Sequence, residues 1–152
     1  MGIIISSFTG CGKTYLTNAT VGRIKILDAT NINGDGMVDE IMGQVDKYDI
    51  VFIGCDKDTR EAFDDRKIDY DLFYPSVERR NEFIENQVKK RTKPDKIREL
   101  DNDFIKMVQE LDDIDVDNCY KHKLNNGGEF IGNNEAIARY INSIIGNRNE
   151  QG

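Results

Sequence analysis

Short apolar runs alternate along the chain with longer stretches in which apolar and charged positions are mixed. That alternation predicts strands and helices taking turns around a mostly parallel sheet, an α/β fold. The runs put strands at Ile3 to Ser6, Ile24 to Asp28, Asp49 to Gly54, Tyr70 to Tyr74 and Cys119 to Leu124. The first and third are apolar enough to be buried on both faces. Between the strands, helices are expected at about Lys13 to Ala19, Met37 to Lys47, Thr59 to Asp65, Ser76 to Thr92, Asp95 to Leu111 and Asn134 to Ile144.

Two prolines punctuate the second half. Pro75 follows the fourth strand, where its fixed φ suits the start of a helix capped by Ser76. Pro94 divides the polar stretch after it into two helices. From Arg79 to Arg98, eight basic residues stand against three acidic ones, a net +5. The whole chain has 21 Lys and Arg against 28 Asp and Glu, a formal charge of -7. An anionic surface disfavours an extended phosphate-backbone interface, so broad nucleic-acid binding is not expected.

The 152 residues, 38% hydrophobic and 32% charged, match one domain around one core. That domain is expected over residues 1–146, with a helical lid at about 76–111 and a polar, frayed tail over 147–152. No apolar run nears the ~20 residues that span a bilayer, and no cationic leader precedes Ile3, so a soluble cytoplasmic protein is expected, away from membranes. Cys11, Cys55 and Cys119 are odd in number and form no CxxC pair, which fits reduced thiols. Cys119 and His122 are read as ordinary strand or loop positions and not as zinc ligands.

The sharpest chemical signal is Ile3-Ile4-Ile5-Ser6-Ser7-Phe8-Thr9-Gly10-Cys11-Gly12-Lys13-Thr14, an apolar strand running into a glycine-rich turn and then a helix. This is the context that a phosphate loop requires. Gly10 and Gly12 let the backbone curl so that successive amides, that of Cys11 among them, point at phosphate oxygens. Lys13 brings a point charge to the β and γ phosphates, Thr14 offers its hydroxyl to Mg²⁺, and the helix opening through Tyr15 aims its positive end at the same anion. The full GxxxxGK[ST] pattern wants glycine where this chain has Ser7, which leaves the path of the loop open.

Ligands in such folds sit beyond the carboxyl ends of the strands, so Asp28, Asp56 and Arg60 are the next candidates. Either acid could hold Mg²⁺ through water or orient an acceptor hydroxyl, and Asp56 could equally cap the helix after it. Arg60 could meet an acceptor phosphate or stay solvated. Arg91 and Arg98 flank Pro94 in the basic segment, where a closing lid would bring cations to the charge that builds during phosphoryl transfer. The same face could instead balance acidic neighbours through weak surface pairs. Asn31 to Met42 imitates a calcium loop at its first, third, fifth and sixth positions, but the twelfth is Met42 in place of a bidentate glutamate. A glycine-rich turn before a helix, where an acceptor loop would lie, is expected there instead.

With these residues placed, the chain resembles the small P-loop nucleotide kinases encoded by bacteriophages, relatives of the nucleoside monophosphate kinases. The resemblance rests on IIISSFTGCGKTYLT, YDIVFIGCDKDTR and YDLFYPSVERRNEFIENQVKKRTKP. It implies a three-layer P-loop fold with a mostly parallel five-stranded sheet. It also implies ATP with Mg²⁺ on Gly10 to Thr14, lid arginines at Arg91 and Arg98, and an adenine frame at Asn125 to Glu129. The activity it implies is transfer of the γ-phosphoryl of ATP to a small nucleotide, a deoxynucleoside monophosphate. A kinase of another hydroxyl or a 5′ end, and a regulatory nucleotide-binding module, are the alternatives. A homodimer stays open.

Overall fold

The computed structural model describes residues 2–12, 16, 24–135 and 137–143. Five strands, β1 (Ile3–Ser7), β2 (Ile26–Asp28), β3 (Ile50–Ile53), β4 (Tyr70–Pro75) and β5 (Cys119–Leu124), form one sheet in the order β2-β3-β1-β4-β5. Every pairing is parallel, with Ile4 opposite Val51, Leu27 also opposite Val51, Ser6 opposite Leu72 and Phe73 opposite His122. β3 is buried throughout, as its unbroken apolar run requires. β5 lies at the edge, and its run of polar residues Lys121 to Lys123 leaves it largely accessible.

The helices are α1 (Met37–Met42), α2 (Lys57–Asp65), α3 (Arg80–Lys89) and α4 (Pro94–Asp112). Residues 135 and 137–143 are also helical. The predicted helix from Met37 to Lys47 is shorter than its pattern. Gly43 closes α1 by donating to Asp39 and Ile41, and Val45–Lys47 form a separate 3₁₀ turn. β2 likewise opens at Ile26, two residues later than the apolar run.

The helix expected from Ser76 starts instead as a 3₁₀ turn, Val77–Arg79, and becomes α-helical at Arg80. Ser76 occupies the N-cap position but makes no side-chain capping bond. Among the described residues its hydroxyl is buried without a partner, while its main chain is held by Leu124 and Arg79. α3 ends at the left-handed Arg91, φ +58°, and α4 begins on Pro94, where a missing N–H costs nothing. The expected helix Lys13 to Ala19, apart from Leu16, and the tail over 147–152 lie outside the described residues.

Connections β3-α2-β4 and β4-α3-α4-β5 step across the sheet in the same direction, so right-handed crossovers put these helices on one face. Phe104, Val108 and Leu111 of α4 and Phe83 of α3 carry that face into the core. Phe8, just past β1, meets Phe104 and Phe83 edge-on, with centroids 5.3 and 6.1 Å away. The chain that leaves β1 is thereby seated against α3 and α4. No helix among the described residues is long and apolar enough to cross a membrane.

Candidate functional site

A cleft of about 530 Å³ opens beyond the carboxyl ends of β1 and β3. Ser7 to Gly12 form one side of it, Gly54 to Lys57 with Arg60 another, and Met107, Glu110 and Leu111 of α4 a third. Thr30 and Lys90 complete the lining. Strand ends of a parallel sheet leave backbone groups and loop side chains converging there, and ligands of open α/β sheets bind in that place.

Main-chain bonds and two left-handed glycines fix the loop after β1. Phe8 donates its amide to the Phe73 carbonyl at 2.9 Å, and the Cys11 amide, expected to face a phosphate, instead turns back to the Phe8 carbonyl at 3.1 Å and closes the turn. Gly10 and Gly12 both take positive φ, 87° and 96°. A Cβ at Gly10 would stand 3.1 Å from the Gln87 amide nitrogen, and one at Gly12 would stand 2.8 Å from Phe130 Cβ. Both glycines are therefore demanded by conformation and by close packing. Leu16 is helical and donates to the Gly12 carbonyl at 3.0 Å, the i to i−4 bond of a helix opening at the loop's end. Lys13, Thr14 and Tyr15 lie outside the described residues.

Of the acceptor-side candidates, two line the cleft and one does not. Asp56 is the N-cap of α2: its carboxylate accepts from the Thr59 amide at 3.0 Å and the Thr59 hydroxyl at 2.8 Å. Gly54 makes room for it, because a Cβ there would lie 2.6 Å from Asp56 Oδ1. Arg60 is buried to 9% exposure and fixed by Nε donating to the Cys55 carbonyl at 2.9 Å. No carboxylate among the described residues lies within ion-pair distance of it. Asp28 is exposed at the end of β2 and accepts from the Thr30 amide and hydroxyl at 3.1 and 2.6 Å, so Thr30 reaches the cleft in its place.

The basic segment forms an α3-α4 hairpin packed beside the loop after β1. Lys90 lines the cleft, whereas Arg91 and Arg98 do not. Arg98 is paired with Asp95 on the exposed surface of α4. Gln87 anchors the turn, its carbonyl accepting from the Thr92 amide at 3.1 Å and its side chain from the Thr92 hydroxyl at 2.8 Å.

A residue not singled out from sequence ties this hairpin to the loop after β5. Arg79 is 4% exposed and grips Glu82 with two bonds of 2.9 and 2.8 Å. Its remaining donors reach the Leu124 and Glu129 carbonyls at 3.1 and 2.6 Å. The guanidinium lies 5.0 Å from each of the Phe83 and Phe130 ring centroids. Glu82 also accepts from the Gly128 amide at 3.0 Å, and these bonds, Arg79's first, hold its carboxyl below the usual glutamate range. Ile131 then donates to Cys11 at 2.8 Å. The stretch from Asn125 to Glu129, expected to frame adenine, is thus clasped at Gly128 and Glu129 and at its flanks Leu124 and Ile131, beside Gly12. The signal in sequence was only the i, i+3 spacing of Arg79 and Glu82 within a basic run.

Cys119 and His122 are three apart on a strand, so they face opposite sides. His122 lies 2.7 Å from Asp71 and stacks on Phe73. Asn31 to Met42 forms turns with left-handed Gly34 and Gly36, then α1, which contains Met42. Burial pushes the Cys11 thiol far up and the Cys55 thiol up to about 11, so neither is a thiolate at neutral pH. No protein-family model matches the chain, and no curated protein matches it.

Proposed function

We propose that the protein is a P-loop phosphotransferase that moves the γ-phosphoryl of ATP to a small nucleotide, a (deoxy)nucleoside monophosphate. One observation carries this: the glycine-bent loop and the buried Arg60, a cation without a carboxylate partner among the described residues, line the same cleft. Two anion sites sharing one cavity suit two phosphorylated substrates that must meet. A simple nucleotide-binding loop would need only the first.

In this mechanism the amides of Gly10 and Gly12, the helix terminus and Lys13 hold the donor phosphates, and Arg60 holds the acceptor phosphate in line. Lys90, with Arg91 beside it on the turn, supplies positive charge as the phosphoryl group moves, and no covalent enzyme intermediate forms. Mg²⁺ is bound in such sites by substrate phosphates and one or two protein oxygens, which suits the Thr14 hydroxyl; Asp56, whose two oxygens already accept from Thr59, would face the ion through water. The ion would neutralise phosphate charge.

A regulatory module that binds nucleotide and docks a partner is favoured only by the exposed Val88 and Ile105 on the hairpin. Turnover against a panel of nucleoside monophosphates with Mg²⁺ and ATP separates the two. Lys13→Ala should lower turnover by about a hundredfold or more, on the order of 3 kcal/mol in the barrier. Near-normal turnover in that variant would sink the kinase assignment.

A further inference from the structure

We propose that Glu110 reads the base of the acceptor and that guanine is the base it selects. This rests on the nucleotide-kinase reading above. The cleft is lined by three cations, Lys57, Arg60 and Lys90, and by two acids, Asp56 and Glu110. Both oxygens of Asp56 are taken by Thr59. Glu110 makes no hydrogen bond or ion pair among the described residues. It is the carboxylate still free to accept from a ligand.

Its position decides what that ligand group must be. α4 turns Phe104, Val108 and Leu111 inward, and one helical step round it presents Met107, Glu110 and Leu111 to the cleft. The wall is an apolar shelf carrying a single negative charge. A phosphate is repelled there and attracted to Arg60 and the phosphate loop, so a mononucleotide is oriented with its base toward α4. The methionine and leucine side chains give a flat ring a soft surface to lie on.

A carboxylate only accepts hydrogen bonds, so it selects for donors. Guanine presents two adjacent donors, N1–H and the N2 amino group, that match the two carboxylate oxygens. Adenine and cytosine place one amino group beside a ring-nitrogen acceptor, and thymine places one N–H between two carbonyls. In each of those three, a lone pair faces the carboxylate. Two charge-assisted bonds against one, with that repulsion removed, favour guanine.

The test is calorimetric titration of the whole protein with dGMP, dAMP, dCMP and dTMP, and with 2-deoxyribose 5-phosphate as a probe without a base. The wild type is compared with Glu110→Gln, a substitution at an exposed position without partners among the described residues, whose folding is checked by its melting temperature. dGMP should bind at least about tenfold more tightly than the other three. Glu110→Gln should abolish that preference, improve dAMP, whose amino group and ring nitrogen match a carboxamide, and leave the sugar phosphate unchanged. Binding of all four without preference, or a dGMP preference that survives Glu110→Gln, overturns the role of Glu110 and leaves the kinase reading standing. Failure of all four monophosphates to bind, with or without MgATP, overturns both.

Discussion

Arg60 and Arg79 each carry a positive charge into the interior, and the structure uses them in opposite ways. Four of the five N–H donors of Arg79 are answered by Glu82 and by the carbonyls of Leu124 and Glu129. Removing it leaves buried acceptors unpaired, and a buried pair broken from one side costs several kcal/mol. Arg79→Met should therefore destabilise the fold by about 3 kcal/mol in a denaturant titration. Arg60 has one described bond, to the Cys55 carbonyl, and faces the cleft. Arg60→Ala should leave the denaturation midpoint within about 1 kcal/mol of wild type while weakening nucleoside monophosphate binding at least tenfold by calorimetry. Equal loss of stability in both variants would make Arg60 a structural group.

Elements gain their positions from these residues. α3 presses Phe83 and Gln87 against Gly10, the loop after β5 presses Phe130 against Gly12, and Arg79 joins the two walls. The glycine loop after β1 is held from both sides. The hairpin turn next to it keeps an arginine at φ +58°, a conformation that costs a residue with a Cβ about 1 kcal/mol or more. Arg91→Gly relieves that strain and removes the cation in one step. The melting temperature should hold or rise while kcat falls about tenfold, a 1.4 kcal/mol change in the barrier. A rise in melting temperature with unchanged kcat would assign Arg91 to the turn alone.

At the scale of the whole molecule, two carboxylates fix how the fold responds to acid. Glu82 is held below its ordinary range first by Arg79 and also by Gly128. For Asp112 burial acts upward, but the bonds from Tyr74 and Lys123 outweigh it and its carboxyl also sits low. With folded values depressed, the unfolded chain takes up protons first. The stability they contribute is complete above the ordinary carboxylate range of about pH 4 to 5 and is lost as the pH falls through their folded values. Urea midpoints measured between pH 7 and pH 3 should fall with acid, and Glu82→Gln should flatten that slope. An unchanged slope would mean that Glu82 is not linked to folding.

The sequence by itself determined the five strands, because continuous apolar runs such as Ile50 to Ile53 are stable only between neighbours. It also determined the glycine turn that follows β1, since positive φ at Gly10 and Gly12 is a local demand. Helix ends were less legible where a local event overrode the pattern, as Gly43 did in α1 and the 3₁₀ turn did after Ser76. Asp56 was visible as a cap or a site residue, and it is both a cap and part of the cleft wall. What only the tertiary structure decided is convergence. Gly12 lies against Phe130 more than a hundred positions on, Arg79 against Glu129, and Arg60 shares a cleft with Glu110. These neighbours arise from the strand order β2-β3-β1-β4-β5 and the crossovers that set α2 and α4 on one face. No local spacing encodes that order, because the sheet is chosen by the burial of all its strands together.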